Sequence, residues 1–142
     1  MSNVLVLNGP NLNLLGTRQP EIYGTTTLEE LDDMCVEWGR QLGQAVSTFQ
    51  SNHEGEIIDR IQAASELDGL VINAAALTHY SYAVYDALVA VGLPTVEVHI
   101  SDIHAREDWR RRSVIQPACL AQITGEGLDG YRRALEILAE GR

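Results

Sequence analysis

Short apolar runs alternate with helical patterns along this chain, and that alternation restricts its fold more than any other feature. Five runs predict strands: Val4–Leu7, Ala45–Phe49, Leu70–Ile72, Thr95–Ile100 and Cys119–Ile123. Strands covered by helices on both faces are apolar along most of their length, as these runs are. We therefore predict an α/β fold with a doubly wound five-stranded parallel sheet and helices on both of its faces.

Helical periodicity and capping signals fill the intervals between the predicted strands. Thr27 with Glu30 indicates a capping box before a helix that ends near Gly43, and Ser51 with Glu54 repeats the pattern before a second helix. The other predicted helices run from about Tyr80 to Val91, over Ala105–Arg112 as a short polar helix, and over Leu128–Ala139. A length of 142 residues suits one domain, which we expect over residues 1–142.

Charge composition excludes several classes of function. The formal net charge is −10, which disfavours nucleic acid and anionic membrane surfaces as partners. All ten basic residues are arginine. Without lysine the chain cannot form a lysine Schiff base or a lysine-containing phosphate loop. Arginine still suits the recognition of carboxylates, because its guanidinium binds them through two parallel hydrogen bonds.

Cysteine usage and hydropathy indicate the compartment. Cys35 and Cys119 lie far apart and form no Cys-x-x-Cys pair, so no zinc knuckle is predicted. The first residues lack the basic region of a signal peptide, and no apolar run approaches the roughly 20 residues of a membrane span. We expect a cytoplasmic protein with free thiols and no contact with a membrane.

Polar side chains collect where the predicted strands end. Because ligands of parallel α/β sheets bind beyond the carboxyl ends of the strands, these residues are candidates for a site. They are Asn8–Asn13, Asn73, Thr78, His79, Glu97, His99, Ser101, His104, Arg106 and Arg110–Arg112. His99 and His104 lack a third ligand, so no metal site is predicted. Residues 9–26 form a long stretch without periodicity, which we interpret as a lid carrying Arg18 and Tyr23.

Several of these residues also have an ordinary structural explanation. Asn11 could serve a turn, His99 could be a buried structural histidine, and Tyr23 could be an exposed loop tyrosine. The arginines of 106–112 could form the solvated face of a helix. The joint placement of amides, imidazoles and guanidiniums on one rim favours a functional site.

Four sequence blocks resemble the type II 3-dehydroquinate dehydratases. They are N-G-P-N-L-N-L-L-G at 8–16, R-Q-P-E-I-Y-G at 18–24, Q-S-N-H-E-G-E-I-I-D at 50–59 and V-E-V-H-I-S-D-I-H-A-R-E-D-W-R at 96–110. A weaker block, N-A-A-A-L-T-H-Y-S, spans 73–81. The resemblance implies a flavodoxin-like fold, an anti-elimination of water from 3-dehydroquinate to 3-dehydroshikimate through an enolate, and no metal or organic cofactor. The missing lysine agrees independently, since the type I enzymes use a Schiff base.

The resemblance also implies a role for each matching residue. Tyr23 matches the base, Arg18 the cation that favours its phenolate, and Asn11 the residue that holds a water near the enolate oxygen. His99 matches the general acid, and Glu97 lies two residues before it on the same strand face to orient it. The matching substrate contacts are Asn73, His79, Ile100 through its backbone, Ser101, Arg110, and Asp86 from a neighbouring subunit. The family forms trimers assembled into dodecamers, so we expect a homo-dodecamer.

Some positions depart from the commoner family pattern. Ala74 and Ala75 replace a frequent Pro-Gly, Gln19 replaces glutamate, and Asp102 replaces asparagine. Tyr85 and Arg112 are also unusual. These departures concern the substrate loop and the subunit contact around Asp86, and they leave an inactive relative with a structural role as one alternative.

A flavodoxin-like binding or regulatory module is the other alternative. A receiver domain needs a lysine, and a flavin needs a phosphate loop after the first strand, where Gly9-Pro10-Asn11 offers few N–H donors. For an active dehydratase, aromatic biosynthesis and quinate breakdown both stay open, because they share this chemical step.

Overall fold

Five parallel strands form the sheet at the centre of the described part of the chain. A computed structural model describes residues 1–17 and 20–141, with the backbone alone for Ile22 and Tyr23. The strands are β1 (Ser2–Asn8), β2 (Gln44–Gln50), β3 (Gly69–Asn73), β4 (Thr95–His99) and β5 (Ala121–Thr124). Their spatial order is β2-β1-β3-β4-β5, with every pairing parallel. The predicted α/β class and five-stranded parallel sheet are confirmed.

Helices cover both faces of this sheet, as predicted. They are α1 (Pro20–Tyr23), α2 (Leu28–Gln41), α3 (Glu54–Ala63), α4 (Tyr82–Val91) and α5 (Asp129–Glu140). The apolar side chains of α2 and α5 pack on one face, and those of α3 and α4 on the other. None of the helices in the described ranges is long and apolar enough to cross a membrane.

Successive side chains of β1 point to opposite faces and enter two separate cores. Val4 and Val6 pack with Tyr131 of α5, while Leu5 and Leu7 pack with Ile57 of α3. Each of these apolar side chains is at most 2% exposed, and burying one contributes about 1.5–3 kcal/mol relative to leaving it in water. A strand buried on both faces needs apolar residues at every position, which explains the continuous runs in the sequence.

The capping box predicted at the start of α2 is confirmed. The Thr27 side chain accepts a hydrogen bond from the N–H of Glu30, and the Glu30 carboxylate accepts one from the N–H of Thr27. The exchange also lowers the pKa of Glu30, because the Thr27 donors favour the ionised carboxylate.

The second capping box, predicted for Ser51 and Glu54, is wrong. His53 is the N-cap residue of α3 and makes no side-chain capping bond. The Ser51 hydroxyl instead accepts from the N–H of His53 at 2.9 Å and donates to Glu56. Glu54 accepts from the hydroxyl of Ser81 at 2.5 Å, so its carboxylate serves a tertiary contact, whereas Ser51 bonds to other residues at the start of α3.

The short polar helix predicted over Ala105–Arg112 is also wrong. The segment holds two separate 3-10 turns, Ile103–Ala105 and Asp108–Arg110, and the backbone is extended at Arg106 between them. The predicted helix has no apolar face to bury, since Trp109 is exposed. Without such packing a short helix is not stable, so the segment follows local capping contacts instead.

Candidate active site

A polar pocket opens at the carboxyl ends of β1, β3 and β4, where the sequence predicts that the candidate residues meet. Its lining residues come from the loops that follow these strands: Pro10, Asn11, Leu12, Asn73, Ala75, Ala76, His79, His99, Ile100, Ser101, Ile103, Arg106 and Arg110. Amides, imidazoles and guanidiniums predominate among its polar groups. In the described ranges, no three His, Cys, Asp or Glu side chains group in a way that could hold a metal ion.

The structure brings most of the predicted site residues to this pocket. Those that line it are Asn11, Asn73, His79, His99, Ile100, Ser101 and Arg110. Glu97 lies behind His99, fully buried. Asp86 is exposed on α4 and does not line the pocket. Arg18 and the side chain of Tyr23 lie outside the described residues.

His99 and Glu97 form a buried pair at the wall of the pocket. Both side chains project from the same face of β4, and Nε2 of His99 lies 2.5 Å from Oε2 of Glu97. His99 is 5% exposed and Glu97 0%. When Glu97 is ionised it accepts the hydrogen bond, so Nε2 carries the proton and the ring orientation is fixed. An imidazole held this way by a carboxylate can deliver a proton to a bound ligand.

Asn73 is held by a second buried network, on the other side of the sheet end. Its Nδ2 donates to the hydroxyl of Tyr131 at 2.9 Å, and that hydroxyl donates to Oδ1 of Asn8 at 2.6 Å. Oδ1 of Asn73 accepts from the N–H of Ala75 at 3.1 Å. Burial raises the pKa of Tyr131 well above its ordinary value, so the phenol remains a neutral donor in this network.

The loop after β1 uses its own N–H groups to dock onto neighbouring loops. The N–H of Gly9 donates to the carbonyl of Asn73 at 2.8 Å, and the N–H of Asn11 donates to Oδ1 of Asn52 at 2.9 Å. A Cβ on Gly9 would lie 2.5 Å from the carbonyl oxygen of Ala74, so only glycine allows this approach. Because these donors are already engaged, the loop offers no cradle for a phosphate, and the flavin-binding alternative loses support.

Arg110 and His79 line the pocket, and both contact the ring of Trp109, which is not among the lining residues. The guanidinium of Arg110 stacks over the ring of Trp109 at 4.0 Å and donates from Nε to Glu107 at 2.7 Å. The Trp109 ring also meets the ring of His79 edge-on, with 5.6 Å between centroids. Burial, followed by the nearby charges of His99 and Arg110, lowers the pKa of His79, although its hydrogen bond with the carbonyl of Arg112 opposes the shift.

Comparison with known proteins agrees with this arrangement. The sequence family described as Dehydroquinase class II matches residues 2–139. The chain belongs to the class II dehydroquinase family. It is 54% identical over 142 residues to a 3-dehydroquinate dehydratase of Caldicellulosiruptor saccharolyticus, covering 99% of this chain and 98% of the relative. It is 52% identical over 138 residues to catabolic 3-dehydroquinase 1 of Neosartorya fischeri, covering 96% and 92%.

Solved structures of dehydroquinases share the fold over nearly the whole chain. The type II dehydroquinase of Propionibacterium acnes has a TM-score of 0.94 and 46% identity, with 99% of this chain and 97% of that one covered. The predicted resemblance to type II dehydroquinases is therefore confirmed, as is the predicted enzyme class, a hydro-lyase of the 3-dehydroquinate dehydratase type.

One departure from the commoner dehydroquinase pattern has a visible structural consequence. Ala75, at a position where glycine is frequent, has a φ of 53°. This left-handed conformation costs a residue with a Cβ roughly 1 kcal/mol. The hydrogen bond from its N–H to Asn73 helps to hold the turn in place.

Arg106 has no assigned role in the sequence-based prediction, which treats it only as a basic residue beyond β4. The structure places it in the pocket wall, where its Nη1 lies 3.5 Å from Oγ of Ser101. The signal that could have found it is its position between Ser101 and Arg110 in one continuous family block. Its assignment to the solvated face of a helix fails because no helix forms there.

Proposed function

We propose that this chain removes water from 3-dehydroquinate by anti-elimination through an enolate, giving 3-dehydroshikimate without a metal or organic cofactor. The observation that carries the proposal is the His99–Glu97 pair, with 2.5 Å between Nε2 and Oε2, at the wall of a pocket that also presents Asn11 and Arg110. Family membership supports the substrate, and the pair supplies the acid that this reaction needs.

The elimination needs a base for its first step and an acid for its second step. A base removes the proton from the carbon next to the ketone, and the electrons of that bond form an enolate. The enolate then expels the C1 hydroxyl, which takes a proton from His99 and leaves as water. Glu97 holds the ring of His99 and stabilises its protonated form, so the acid is ready when the hydroxyl departs.

Tyr23 is the proposed base, with Arg18 as its activator. A tyrosine has an ordinary pKa of about 10, so its phenolate is scarce at neutral pH unless a cation favours it. The two residues belong to one sequence block, at 18–24, that matches the family, and this match supports the assignment.

Binding of the anionic substrate is assigned to Arg110 and to the polar groups that line the pocket with it. Arg110 suits the carboxylate, because it is held between Trp109 and Glu107 in a fixed orientation. Asn73, His79, Ser101 and the backbone of Ile100 are the proposed partners of the ring hydroxyls, and all of them line the pocket. Asn11 is the proposed holder of a water near the enolate oxygen.

The proposal also includes the oligomeric state of the enzyme. We infer a homo-dodecamer, built as a tetramer of trimers, in which each copy is a single domain and Asp86 reaches the site of a neighbouring copy. The exposed position of Asp86 outside its own pocket supports this inference. Light scattering tests it, since a dodecamer has about twelve times the mass of one chain. The cytoplasmic location stays a prediction of the sequence.

The test of function is the ultraviolet rise of the conjugated enone when purified protein meets 3-dehydroquinate. The unsubstituted chain is expected to turn over. Tyr23→Phe should abolish turnover while substrate binding is retained, Arg18→Ala should slow it strongly, and His99→Ala should slow loss of the hydroxyl. An inactive parent chain would favour the structural relative, and near-normal Tyr23→Phe would refute the assigned base.

A further inference from the structure

The buried carboxylate of Glu97 has more partners than His99. Glu97 lies in β4 between Ile72 of β3 and Gln122 of β5, in register with both. It is 0% exposed. An ionised carboxylate in such a place is unfavourable unless donors compensate its charge. Besides His99, two neutral side chains donate to the same oxygen, Oε2: Ser113 at 2.8 Å and Gln122 at 3.3 Å.

The hydroxyl of Ser113 is aimed at Glu97 by its own surroundings. Its Oγ accepts a hydrogen bond from the N–H of Gln116 at 3.1 Å, so its single proton is left for the carboxylate. The backbone on both sides of Ser113 is anchored. The N–H of Val114 donates to the carbonyl of Thr78 at 2.8 Å. The carbonyl of Arg112 accepts a hydrogen bond from Nδ1 of His79 at 2.6 Å. Ser113 is therefore a fixed donor rather than a rotating surface hydroxyl.

We propose that Ser113 and Gln122 are positioning residues that set how readily the His99–Glu97 pair releases its proton, by donating to the same oxygen of Glu97 that His99 contacts. The inference deepens the proposed function and rests on it for its catalytic consequence. Each donor turns the positive end of a dipole toward Oε2, which favours the ionised carboxylate and makes the pair a stronger acid. Without these donors the charge on Glu97 is less well compensated, so the pair releases its proton less readily.

Other ionisable groups near the pair do not replace these donors. His79, Arg106 and Arg110 line the pocket with His99, and Cys119 lies beside Glu97. Burial raises the pKa of the Cys119 thiol to about 12, so it stays neutral. The pKa of His79 is lowered, so this side chain is mostly neutral at pH 7. The arginines line the pocket and carry a constant charge, whereas Ser113 and Gln122 contact Oε2 of Glu97 directly.

The first experiment follows the imidazole of His99 by NMR, with its resonances identified by their absence in His99→Gln. In Ser113→Ala the Nε2–H proton of His99 should move downfield, because Oε2 of Glu97 loses a donor and accepts more strongly from the imidazole. Ser113→Thr keeps the hydroxyl and should leave this resonance close to its position in the parent. An unmoved or upfield-shifted resonance in Ser113→Ala would overturn the proposal. This readout does not depend on turnover.

The second experiment measures kcat against pH. In Ser113→Ala the alkaline limb should move up by about one pH unit, the plateau kcat should fall about threefold because the acid is weaker, and KM should change less than twofold. Gln122→Met removes the more distant donor and should shift the limb in the same direction by less. Ser65→Ala, an exposed serine away from the pair, is the matched control.

The two hypotheses fail in different ways. An inactive parent chain whose His99 Nε2–H resonance still responds to Ser113→Ala would contradict the proposed function alone. An active parent whose alkaline limb and His99 Nε2–H resonance are unmoved in both Ser113→Ala and Gln122→Met would contradict the positioning role alone. A purely structural role for Ser113 predicts lower thermal stability with no movement of the alkaline limb.

Discussion

The phenol of Tyr131 donates to Oδ1 of Asn8 over 2.6 Å, although the two residues are 123 positions apart in the chain. The phenol oxygen also accepts from Nδ2 of Asn73 at 2.9 Å, so one helix residue joins the carboxyl ends of β1 and β3. Those two strand ends carry the loops on one side of the pocket. The orientation of Asn73 thus depends on a residue that does not itself line the pocket.

Replacing Tyr131 with phenylalanine should cost stability and weaken substrate binding. The ring would still fill its space, but Oδ1 of Asn8 and Nδ2 of Asn73 would lose their buried partner, at a cost of about 2 kcal/mol. KM should rise more than kcat falls, because Asn73 is a proposed binding group. Chemical denaturation and steady-state kinetics check both parts. Tyr80→Phe, at an exposed tyrosine, is the control, and equal stability of the two variants would contradict the network's importance.

Ala75→Gly should stabilise the protein. Glycine adopts a φ of 53° without the steric cost that alanine has there, and this gain exceeds the entropy that glycine loses on folding. The expected net effect is about 0.5–1 kcal/mol, measured as the free energy of unfolding in denaturant. Ala90→Gly, in the regular helix α4, is the control and should destabilise. Destabilisation of Ala75→Gly would show that the turn is not strained.

Of the two predicted capping boxes, the one that formed is the one whose two side chains have no other side-chain partner. Thr27 and Glu30 are both exposed and bond to each other. Ser51 and Glu54 show the same spacing, but their partners are Glu56 and Ser81. Nothing in the local pattern could reveal Ser81, which lies at the start of the next long helix. Tertiary packing therefore decides the partner of Glu54.

The residues that line the pocket were easier to predict from the sequence than the residues that hold them in place. Parallel strands end at one edge, so the residues after β1, β3 and β4 had to meet there, and they do. The pairing of Glu97 with His99 follows from their spacing of two along a strand. The contacts of Tyr131 and Ser113 arise from side chains distant in sequence from their partners, with no periodic or motif signal. Arg106 was named among the candidates at the strand ends, but it was given no role because a helix was expected in its place.

Asp32 should make stability fall as the pH rises through the weakly acidic range. Burial, assisted by the charge of Asp33 and opposed by a hydrogen bond from Thr48, raises the pKa of Asp32 from 3.8 to about 6. The folded chain therefore keeps a proton that the unfolded chain loses between about pH 4 and 6, and the stabilisation is lost over that range. Denaturant unfolding at pH 4 and 7 measures the effect.

Asp32→Asn should reduce this pH dependence and be more stable than the parent at pH 7. The neutral amide of asparagine is not charged, so the free-energy penalty of removing water from the half-buried carboxylate disappears. Asp59→Asn, at an exposed position on α3, is the control. A parent chain that becomes more stable from pH 4 to 6 through a step absent in Asp32→Asn would contradict the predicted direction of the pH dependence.

Trp109→Leu should weaken substrate binding with little loss of stability. Trp109 is 53% exposed, so it contributes little to the core, but its ring supports the guanidinium of Arg110 and the edge of His79. Loss of an exposed cation–π contact corresponds to a rise in KM of about two- to fivefold. Trp109→Phe keeps an aromatic face and should stay near the parent value. An unchanged KM in Trp109→Leu would show that Arg110 is positioned by Glu107 alone.

The most direct test of the proposed elimination is turnover after an attempt to trap an imine. Protein is treated with borohydride in the presence of 3-dehydroquinate, freed of both, and mixed with fresh substrate while the ultraviolet absorbance of the enone is followed. A lysine-free hydro-lyase that works through an enolate should show the same rate as an untreated sample and an unchanged chain mass. Absence of turnover in both samples, or its loss together with a gain in mass, would contradict an elimination that proceeds without an imine.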